Sequence, residues 1–228
     1  MKNAAAMTIS FPQRLIRHIH YRLSSLSAQA QTAEVRRALR DAGVSQAESI
    51  TTFTSPAELT TLYELACKCS PGGAALEIGS YLGASACYIA AGLREVGGKL
   101  YCVDTWQNET MPDGERDTLA EFKHNTNGVT PLLFLIRKRV DQLTLDDVPQ
   151  KLDLIFIDGD HSYESVKADF HRVAPWLSDT GVVAFHDHYF WKSVSRFIGE
   201  VLATGDWAVE GKRENLIWLK RSRFTEGF

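Results

Sequence analysis

Apolar and polar positions alternate along this chain in the pattern of short strands separated by amphipathic helices. Strands are predicted at residues 74–78, 99–104, 131–136, 152–157, 181–185, 207–210 and 216–219. Helices are predicted at residues 55–67, 86–91, 163–173 and 194–202. Strands that alternate with helices are typical of an α/β fold with a parallel sheet. The last two strands are predicted to form a hairpin that turns around Gly211 and Lys212.

Residues 1–54 precede this pattern and are predicted to form a helical extension. Residues 11–26 carry apolar side chains at helical spacing together with basic ones, and the helical pattern continues over residues 32–42. A basic amphipathic helix packs on its own domain, contacts a partner or lies on a membrane surface. We expect the extension to cover the substrate, to form a homodimer contact or simply to pack, and residues 55–228 to form the main domain.

The best-defined motif follows the first strand, where a glycine turn leads directly into a helix. Gly79 lets a ligand approach the backbone where a Cβ would obstruct it. Gly83 and Ser85 lie at the predicted helix N-terminus, where free N–H groups attract a carboxylate or phosphate. A dinucleotide fingerprint would have glycine at the position of Glu77. The acid therefore favours a ligand with an ammonium or sulfonium group, such as S-adenosylmethionine, over a pyrophosphate.

Acidic and histidine side chains lie at the predicted ends of three later strands. Asp104 ends the second strand, about 20 residues beyond the glycine loop, where a carboxylate binds a ribose. Two further clusters contain Asp158, Asp160, His161, Asp187 and His188. Such clusters are candidates for metal ligation or acid–base chemistry, and the alternative for the first is an exposed acidic turn capped by Ser162. His186 is expected to face the other side of its strand, because neighbouring side chains alternate.

Three stretches, at residues 77–85, 152–164 and 181–189, together resemble the motifs of class I S-adenosylmethionine-dependent methyltransferases. They are especially similar to the metal-dependent O-methyltransferases of the macrolide-sugar and catechol types. The resemblance implies a doubly wound, mostly parallel, seven-stranded Rossmann-like sheet with an antiparallel C-terminal strand. It also implies that residues 105–130 form a long loop that helps to cover the site.

The resemblance further implies where S-adenosylmethionine binds. Glu77 and Ser85 would hold the ammonium and the carboxylate of its methionine end, and Asp104 the ribose. The full set implied is Glu77, Gly79, Ser80, Tyr81, Gly83, Ser85, Asp104, Thr105, Val140, Asp141 and Asp158. Val140 and Asp141 would flank the adenine, although the glycine pattern usual in the family is absent there. The basic residues just before them fit a solvated surface turn equally well.

For the reaction, the resemblance implies a divalent cation held by Asp158, Asp187 and His188. Mg²⁺ or Mn²⁺ is expected, and Zn²⁺ or Fe²⁺ stays open because His188 replaces an oxygen donor. A cation lowers the pKa of an acceptor hydroxyl, and a general base removes its proton. His161 lies where the catechol-type enzymes have a lysine base, and Asp160 is the alternative base. Histidine suits this work because its ordinary pKa is about 6.5.

Composition narrows the class of protein. A net charge of −3 over 228 residues gives no support for nucleic-acid binding, and no apolar run reaches the about 18 residues of a membrane span. We expect a cytoplasmic O-methyltransferase with four reduced cysteines and a small-molecule hydroxyl acceptor, such as a sugar or a polyhydroxylated natural product. Trp106 and Phe122 either line its pocket or pack inside. The alternatives are a protein that binds S-adenosylmethionine without methyl transfer and an NAD-dependent oxidoreductase.

Overall fold

The computed structural model describes residues 31–109, 114–148 and 151–222. The chain divides into two compact units, Met1–Arg37 and Ala38–Phe228. Of the first unit, residues 31–37 are described, and they are helical. The helix predicted at residues 11–26 lies outside the described residues. Within the described ranges, no helix is long and apolar enough to cross a membrane.

Helices and strands alternate through the described residues. The helices are α1 (31–41), α2 (Pro56–Cys67), α3 (Ala84–Val96), α4 (Leu119–Asn125), α5 (Tyr163–Val173) and α6 (Lys192–Ala203). The strands are β1 (Ala74–Ile78), β2 (Lys99–Asp104), β3 (Leu133–Arg137), β4 (Leu152–Ile157), β5 (Leu177–Phe185), β6 (Trp207–Arg213) and β7 (Leu216–Arg221). Short 3₁₀ turns lie at Ser45–Ser49, Asn127–Leu132, Val140–Gln142 and Ala174–Trp176.

The seven strands form one sheet in the order β3-β2-β1-β4-β5-β7-β6. Strands β1 to β5 pair in parallel with one another, whereas β7 is antiparallel to both β5 and β6. This arrangement confirms the predicted Rossmann-like sheet. The direction of winding reverses between β1 and β4, and ligands of α/β sheets bind at the carboxyl ends of the strands at such a point.

Several boundaries follow from local sequence signals. Ser55 caps α2 and forms a capping box with Glu58, and the proline at the first helical position fixes the helix start. Ser162 caps α5 through its side chain, which accepts a hydrogen bond from the backbone N–H of Ser165. The predicted bounds of β1, β2 and α5 are confirmed to the residue.

Several predicted boundaries are wrong, for example the end of α3, which lies at Val96, and the start of β5, which lies at Leu177. Two others have a clear local cause. The third strand begins at Leu133 because a 3₁₀ turn occupies Asn127–Leu132, and it pairs with β2 from Leu133 onward. The hairpin turns at Glu214 and Asn215, three residues later than predicted, since β6 continues through a bulge before Gly211. The ring of Trp218 covers Gly211 so closely that a Cβ there would lie 2.2 Å from it. This glycine therefore serves a bulge and not a turn.

The core lies on both faces of the sheet and between α2 and α3. Every residue of β1 is buried, as are ten of the thirteen residues of α3. The stretch at 105–130, predicted as a loop, is partly helical because it contains α4. Trp106 and Phe122 are fully buried, with ring centroids 5.1 Å apart, so the packing alternative holds for them.

Close packing of α2 on α3 depends on Gly92. A Cβ at this position would lie 2.5 Å from the carbonyl oxygen of Tyr63 and 2.8 Å from the Cβ of Ala66. We expect Gly92→Ala to lower the free energy of unfolding by roughly 1–3 kcal/mol, because the helices must separate to admit the methyl group.

The matched control for this prediction is Gly199→Ala in α6, where nothing lies within 4 Å of the added Cβ. That change is expected to raise the free energy of unfolding by about 0.5–1 kcal/mol, since alanine costs less backbone entropy in a helix. Urea denaturation of both variants checks the pair. Equal effects of the two substitutions would contradict the packing argument.

Candidate cofactor and metal site

The site begins with the loop between β1 and α3. Gly79 adopts a φ of +84°, and a Cβ there would lie 2.1 Å from the carbonyl oxygen of Asp158. The N–H of Gly79 donates to the carbonyl of Val103 at 3.0 Å, and the N–H of Asp158 donates to that of Ile78 at 2.9 Å. The loops that follow β1 and β4 are therefore in backbone contact, and only glycine fits between them.

Glu77, at the end of β1, is a fully buried carboxylate with one unused oxygen. Its Oε2 accepts a hydrogen bond from Ser80 Oγ at 2.6 Å, whereas its Oε1 has no hydrogen-bond partner among the described residues. Burial raises the pKa of Glu77 to about 7, and the charges of Asp158 and Asp104 act in the same direction. A buried acceptor without a donor fits an ammonium group, as the sequence predicts.

Asp104, at the end of β2, already holds the glycine loop. Its Oδ2 accepts from the backbone N–H groups of Ser80 and Tyr81 at 2.8 and 2.9 Å. Its Oδ1 accepts from the N–H of Trp106 at 2.6 Å. An ionised carboxylate has about four acceptor positions, so about one is left for a ligand.

The remaining residues predicted for the cofactor surround this loop. Ser80 and Ser85 are buried, and Gly83 is the N-cap of α3 with a φ of +91°. Tyr81 has a φ of +43°, and its ring lies 6.3 Å from that of Phe53. The carbonyl of Thr105 accepts a hydrogen bond from the side chain of Arg137.

Val140 and Asp141 lie in a 3₁₀ turn after β3 and line an open cavity of about 660 Å³ against α5. Asp169, on α5, lines the same cavity. Burial raises the pKa of Asp169 to about 7, with a smaller contribution from Asp160. Asp169 is not recognisable from the sequence, because an acid in the middle of an amphipathic helix is ordinarily solvated.

A second group of side chains forms a candidate metal centre. Ligand atoms of Asp158, His161 and Asp187 lie within 4.8 Å of one another. Nε2 of His161 is 3.2 Å from Oδ2 of Asp187. Two carboxylates and an imidazole at this spacing suit a divalent cation. Among the residues that the structure describes, these three form the group, and His188 does not join it.

His188 diverges from this group because the chain turns at Asp187, which adopts a φ of +56°. The backbone N–H of His188 donates to the carbonyl of Asn215 in the β6–β7 turn at 3.0 Å. Its Nδ1 is buried and has no hydrogen-bond partner among the described residues. Burial and the charge of Lys212 lower the pKa of His188. The structure thus places His161, rather than His188, beside the two carboxylates.

Asp160 points away from the candidate metal centre and towards the start of α5. Its carboxylate accepts hydrogen bonds from the backbone N–H and Oγ of Ser162 at 3.1 and 3.0 Å, and from Ser165 Oγ at 2.8 Å. Burial opposes ionisation here, but these hydrogen bonds prevail and lower the pKa of Asp160. A carboxylate held in this way is a weak base, so the structure favours His161 for proton transfer.

His186 faces the candidate metal centre, and the expectation that it points to the opposite face is wrong. Its Nδ1 lies 3.2 Å from Oδ1 of Asp158 and 3.5 Å from Oδ1 of Asp187. The alternation rule fails because β5 ends at Phe185, one residue earlier. Burial works against the charged imidazole, yet the carboxylates of Asp158, Glu58 and Asp187 raise the pKa of His186 to about 10.

Three exposed aromatic residues border this centre and were missed at the level of the sequence. Tyr189, Phe190 and Trp191 are 82%, 73% and 45% exposed. They follow His188 directly, and the ring of Trp191 lies 5.6 Å from that of His161. Their position one to three residues beyond a strand-end motif is a signal that could have found them.

Known proteins resemble this chain in sequence and in fold. Residues 76–188 match the family model described as a methyltransferase domain. The curated protein y4gI of Sinorhizobium fredii, described as uncharacterized, is 36% identical over 119 residues. That alignment covers 49% of this chain and 13% of y4gI, so the chain spans only a small part of this relative.

Solved methyltransferases share the fold. The SAH-bound methyltransferase PaMTH1 of Podospora anserina has a TM-score of 0.61 and 15% identity, covering 86% of this chain and 95% of its own. CalS11, a TDP-rhamnose 3'-O-methyltransferase of calicheamicin biosynthesis, has a TM-score of 0.53 and 20% identity, covering 84% and 93%.

The strand order and the glycine loop at the switch point define the fold of a class I methyltransferase. The family match and the shared fold confirm the resemblance that the three motifs indicate. Residues 76–188 are a methyltransferase domain.

The buried carboxylate of Glu77 predicts a specific pH dependence of stability. The folded protein keeps this proton up to about pH 7, whereas an ordinary glutamate loses it near 4.5. The contribution of Glu77 to the free energy of unfolding therefore falls as pH rises between these values. In Glu77→Gln nothing titrates at this position, so the stability of the variant relative to wild type should rise over that range.

Urea denaturation of both proteins between about pH 5 and about pH 8 measures this difference. All other titrating groups are common to the two proteins, so their contributions largely cancel. Parallel stability curves would show that Glu77 is not held protonated in the folded state.

Proposed function

We propose that this protein transfers the methyl group of S-adenosylmethionine to a hydroxyl oxygen of a small molecule, with a divalent cation at the acceptor. The observation that carries the proposal is the backbone contact between Gly79 and Asp158. It places a loop suited to the cofactor directly beside carboxylates suited to a cation. Methyl transfer from a sulfonium depends mainly on such alignment of the nucleophile with the methyl group.

The methionine end of the cofactor is assigned to the start of α3. Oε1 of Glu77 offers the ammonium group a buried acceptor. Gly83, as N-cap, contributes no side-chain acceptor, so the first N–H groups of α3 near Ser85 are available to the carboxylate. The likeness to the SAH-bound enzyme of Podospora anserina supports this assignment.

The nucleoside end is assigned to the ends of β2 and β3. Asp104 keeps about one acceptor position, on Oδ1, so it binds a single ribose hydroxyl while it holds the glycine loop. Thr105 lies next to it, and Val140 and Asp141 flank the adenine across the cavity after β3.

The cation is assigned to the two carboxylates, and proton transfer to His161. Asp158 and Asp187 offer the oxygen donors that Mg²⁺ and Mn²⁺ prefer. When bound, a divalent cation lowers the pKa of the acceptor hydroxyl and orients its oxygen. His161 lies beside these donors, with its Nε2 3.2 Å from Oδ2 of Asp187, which aligns the ring. The hydrogen bonds of Asp160 to Ser162 and Ser165 support His161 over Asp160 in that role.

The acceptor is assigned to the aromatic loop of residues 189–191. Exposed aromatic rings beside polar groups are typical of sites for small organic ligands, because they bury the apolar face of a ring. The contact between Trp191 and His161 makes this loop continuous with the candidate metal centre. The likeness to a sugar O-methyltransferase is consistent with a hydroxyl carried on a sugar.

Calorimetric titration of S-adenosylmethionine and of Mn²⁺ tests the assignment of cation and base. Wild-type protein should bind both. Asp187→Asn should weaken Mn²⁺ binding by at least about tenfold, since a charged donor is lost. His161→Gln should change it by no more than about twofold if this histidine is the base and not a ligand. Both variants should bind the cofactor like wild type.

Asp179→Asn is the matched control, because Asp179 is an exposed acid on β5, the strand that precedes Asp187. It should leave Mn²⁺ binding unchanged. A tenfold loss of Mn²⁺ affinity in His161→Gln would show that this residue is a ligand. Binding of NAD in place of S-adenosylmethionine would overturn the proposed function.

Trp191→Ala tests the acceptor assignment. In a screen of glycosides and phenols with labelled cofactor, the best acceptor should show a KM raised by about tenfold in the variant, because stacking on the indole is lost. The affinity for S-adenosylmethionine should not change. Phe134→Ala, which removes a partly exposed ring from β3, serves as the control. Equal KM values for Trp191→Ala and wild type would exclude the loop from acceptor binding.

A further inference from the structure

Glu58 is a buried acid that the proposed reaction does not use. It lies in the first turn of α2 and is 1% exposed. Its Oε2 accepts the backbone N–H of Ser55 at 2.8 Å, as expected of a capping box. A capping glutamate is ordinarily solvated, so burial of this one calls for a further partner.

That partner is His186. Oε2 of Glu58 lies 3.3 Å from Nε2 of His186, and both side chains are 2% exposed. The other ring nitrogen faces the candidate metal centre, 3.2 Å from Oδ1 of Asp158 and 3.5 Å from Oδ1 of Asp187. The imidazole therefore bridges a buried carboxylate of α2 and the two carboxylates assigned to the cation.

The same carboxylate also holds the turn between β6 and β7. Oε1 of Glu58 accepts the backbone N–H of Asn215 at 2.7 Å, and the carbonyl of Asn215 accepts the N–H of His188 at 3.0 Å. Ser55 adds a hydrogen bond from its Oγ to Glu214. Glu58 thus joins α2, the hairpin and the segment that carries Asp187, and it lies outside the residues matched by the family model.

Carboxylates that bind a cation keep their orientation when another group hydrogen-bonds their outer oxygen. The imidazole of His186 can do this for Asp158 and Asp187 only if its own ring is fixed. The contact with Glu58 at 3.3 Å and the burial of both side chains fix it. Without Glu58, the ring would lose its anchor while the two carboxylates, close together and of like charge, would tend to separate.

We propose that Glu58 and His186 act as a pair of positioning residues that set the spacing of Asp158 and Asp187 for the cation. This inference rests on the proposed function, because it assigns the cation to those carboxylates. The pair touches neither the cofactor nor the acceptor. It extends the metal centre into a helix that precedes the family match.

A double-mutant cycle with Mn²⁺ as the probe tests this pair. Glu58→Gln and His186→Gln should each weaken Mn²⁺ binding by about tenfold, with the affinity for S-adenosylmethionine changed by less than about twofold. The double variant should lose no more than either single variant, because the two residues act as one unit. Calorimetry gives both affinities, and thermal unfolding shows that each protein is folded.

Glu64→Gln is the matched control, since Glu64 is an acid further along the same helix. It should bind Mn²⁺ like wild type. A merely structural pair would lower the melting temperature without changing Mn²⁺ affinity in the folded variants, and that result would overturn the proposal. So would losses that simply add in the double variant.

The outcomes distinguish this inference from the proposed function itself. If wild-type protein binds no Mn²⁺, the assignment of a cation fails and the positioning role fails with it. If wild type binds Mn²⁺ and both single variants retain that affinity, only the positioning role is wrong. Should Glu58→Gln not fold, His186→Gln alone decides, because it leaves the capping box and the bond to Asn215 in place.

Discussion

The site depends on the backbone contact between the loops that follow β1 and β4. Gly79 has a positive φ and no room for a Cβ, because the carbonyl of Asp158 would lie 2.1 Å from it. The two strands are neighbours at the switch point of the sheet, so their carboxyl ends meet there. This contact sets the distance between the groups assigned to the methyl donor and those assigned to the acceptor.

Charge within the site is arranged around that contact. Glu77 is buried, and its pKa is raised to about 7 in the absence of an ammonium partner. On the other side, burial and the charge of Asp158 raise the pKa of Asp187, against the opposing charge of His186. The carboxylates that surround His186 raise its pKa to about 10, so this imidazole supplies the positive charge that they lack. Both loops are thus suited to cationic ligands.

Local signals in the sequence predict most of the fold. The strands at Ala74–Ile78 and Lys99–Asp104 and the helix at Tyr163–Val173 follow from apolar runs, glycine turns and a serine cap. The start of β3 and the turn after β6 do not follow from such signals. Strand pairing determines the first, and a bulge under Trp218 determines the second.

Some residues of the candidate site are likewise predictable from the sequence, and others are not. Strand-end acids such as Asp158 and Asp187 are predictable, since parallel strands bring their carboxyl ends together. The roles of His186 and Glu58 are not, because one depends on the residue at which β5 ends and the other on a contact across 128 positions of sequence. His161 lies beside the two carboxylates and His188 does not, because Asp187 adopts a left-handed conformation.

In the proposed function, the methyl group of the bound cofactor lies beside the cation held by Asp158 and Asp187. The most direct measurement is the NMR relaxation of ¹³C-methyl-labelled S-adenosylmethionine bound to the protein, with Mn²⁺ added in stoichiometric amount. We expect strong broadening of the methyl signal in the wild-type protein. In Asp187→Asn this broadening should be lost. A bound cofactor whose methyl signal is unaffected by Mn²⁺ in the wild-type protein would contradict it.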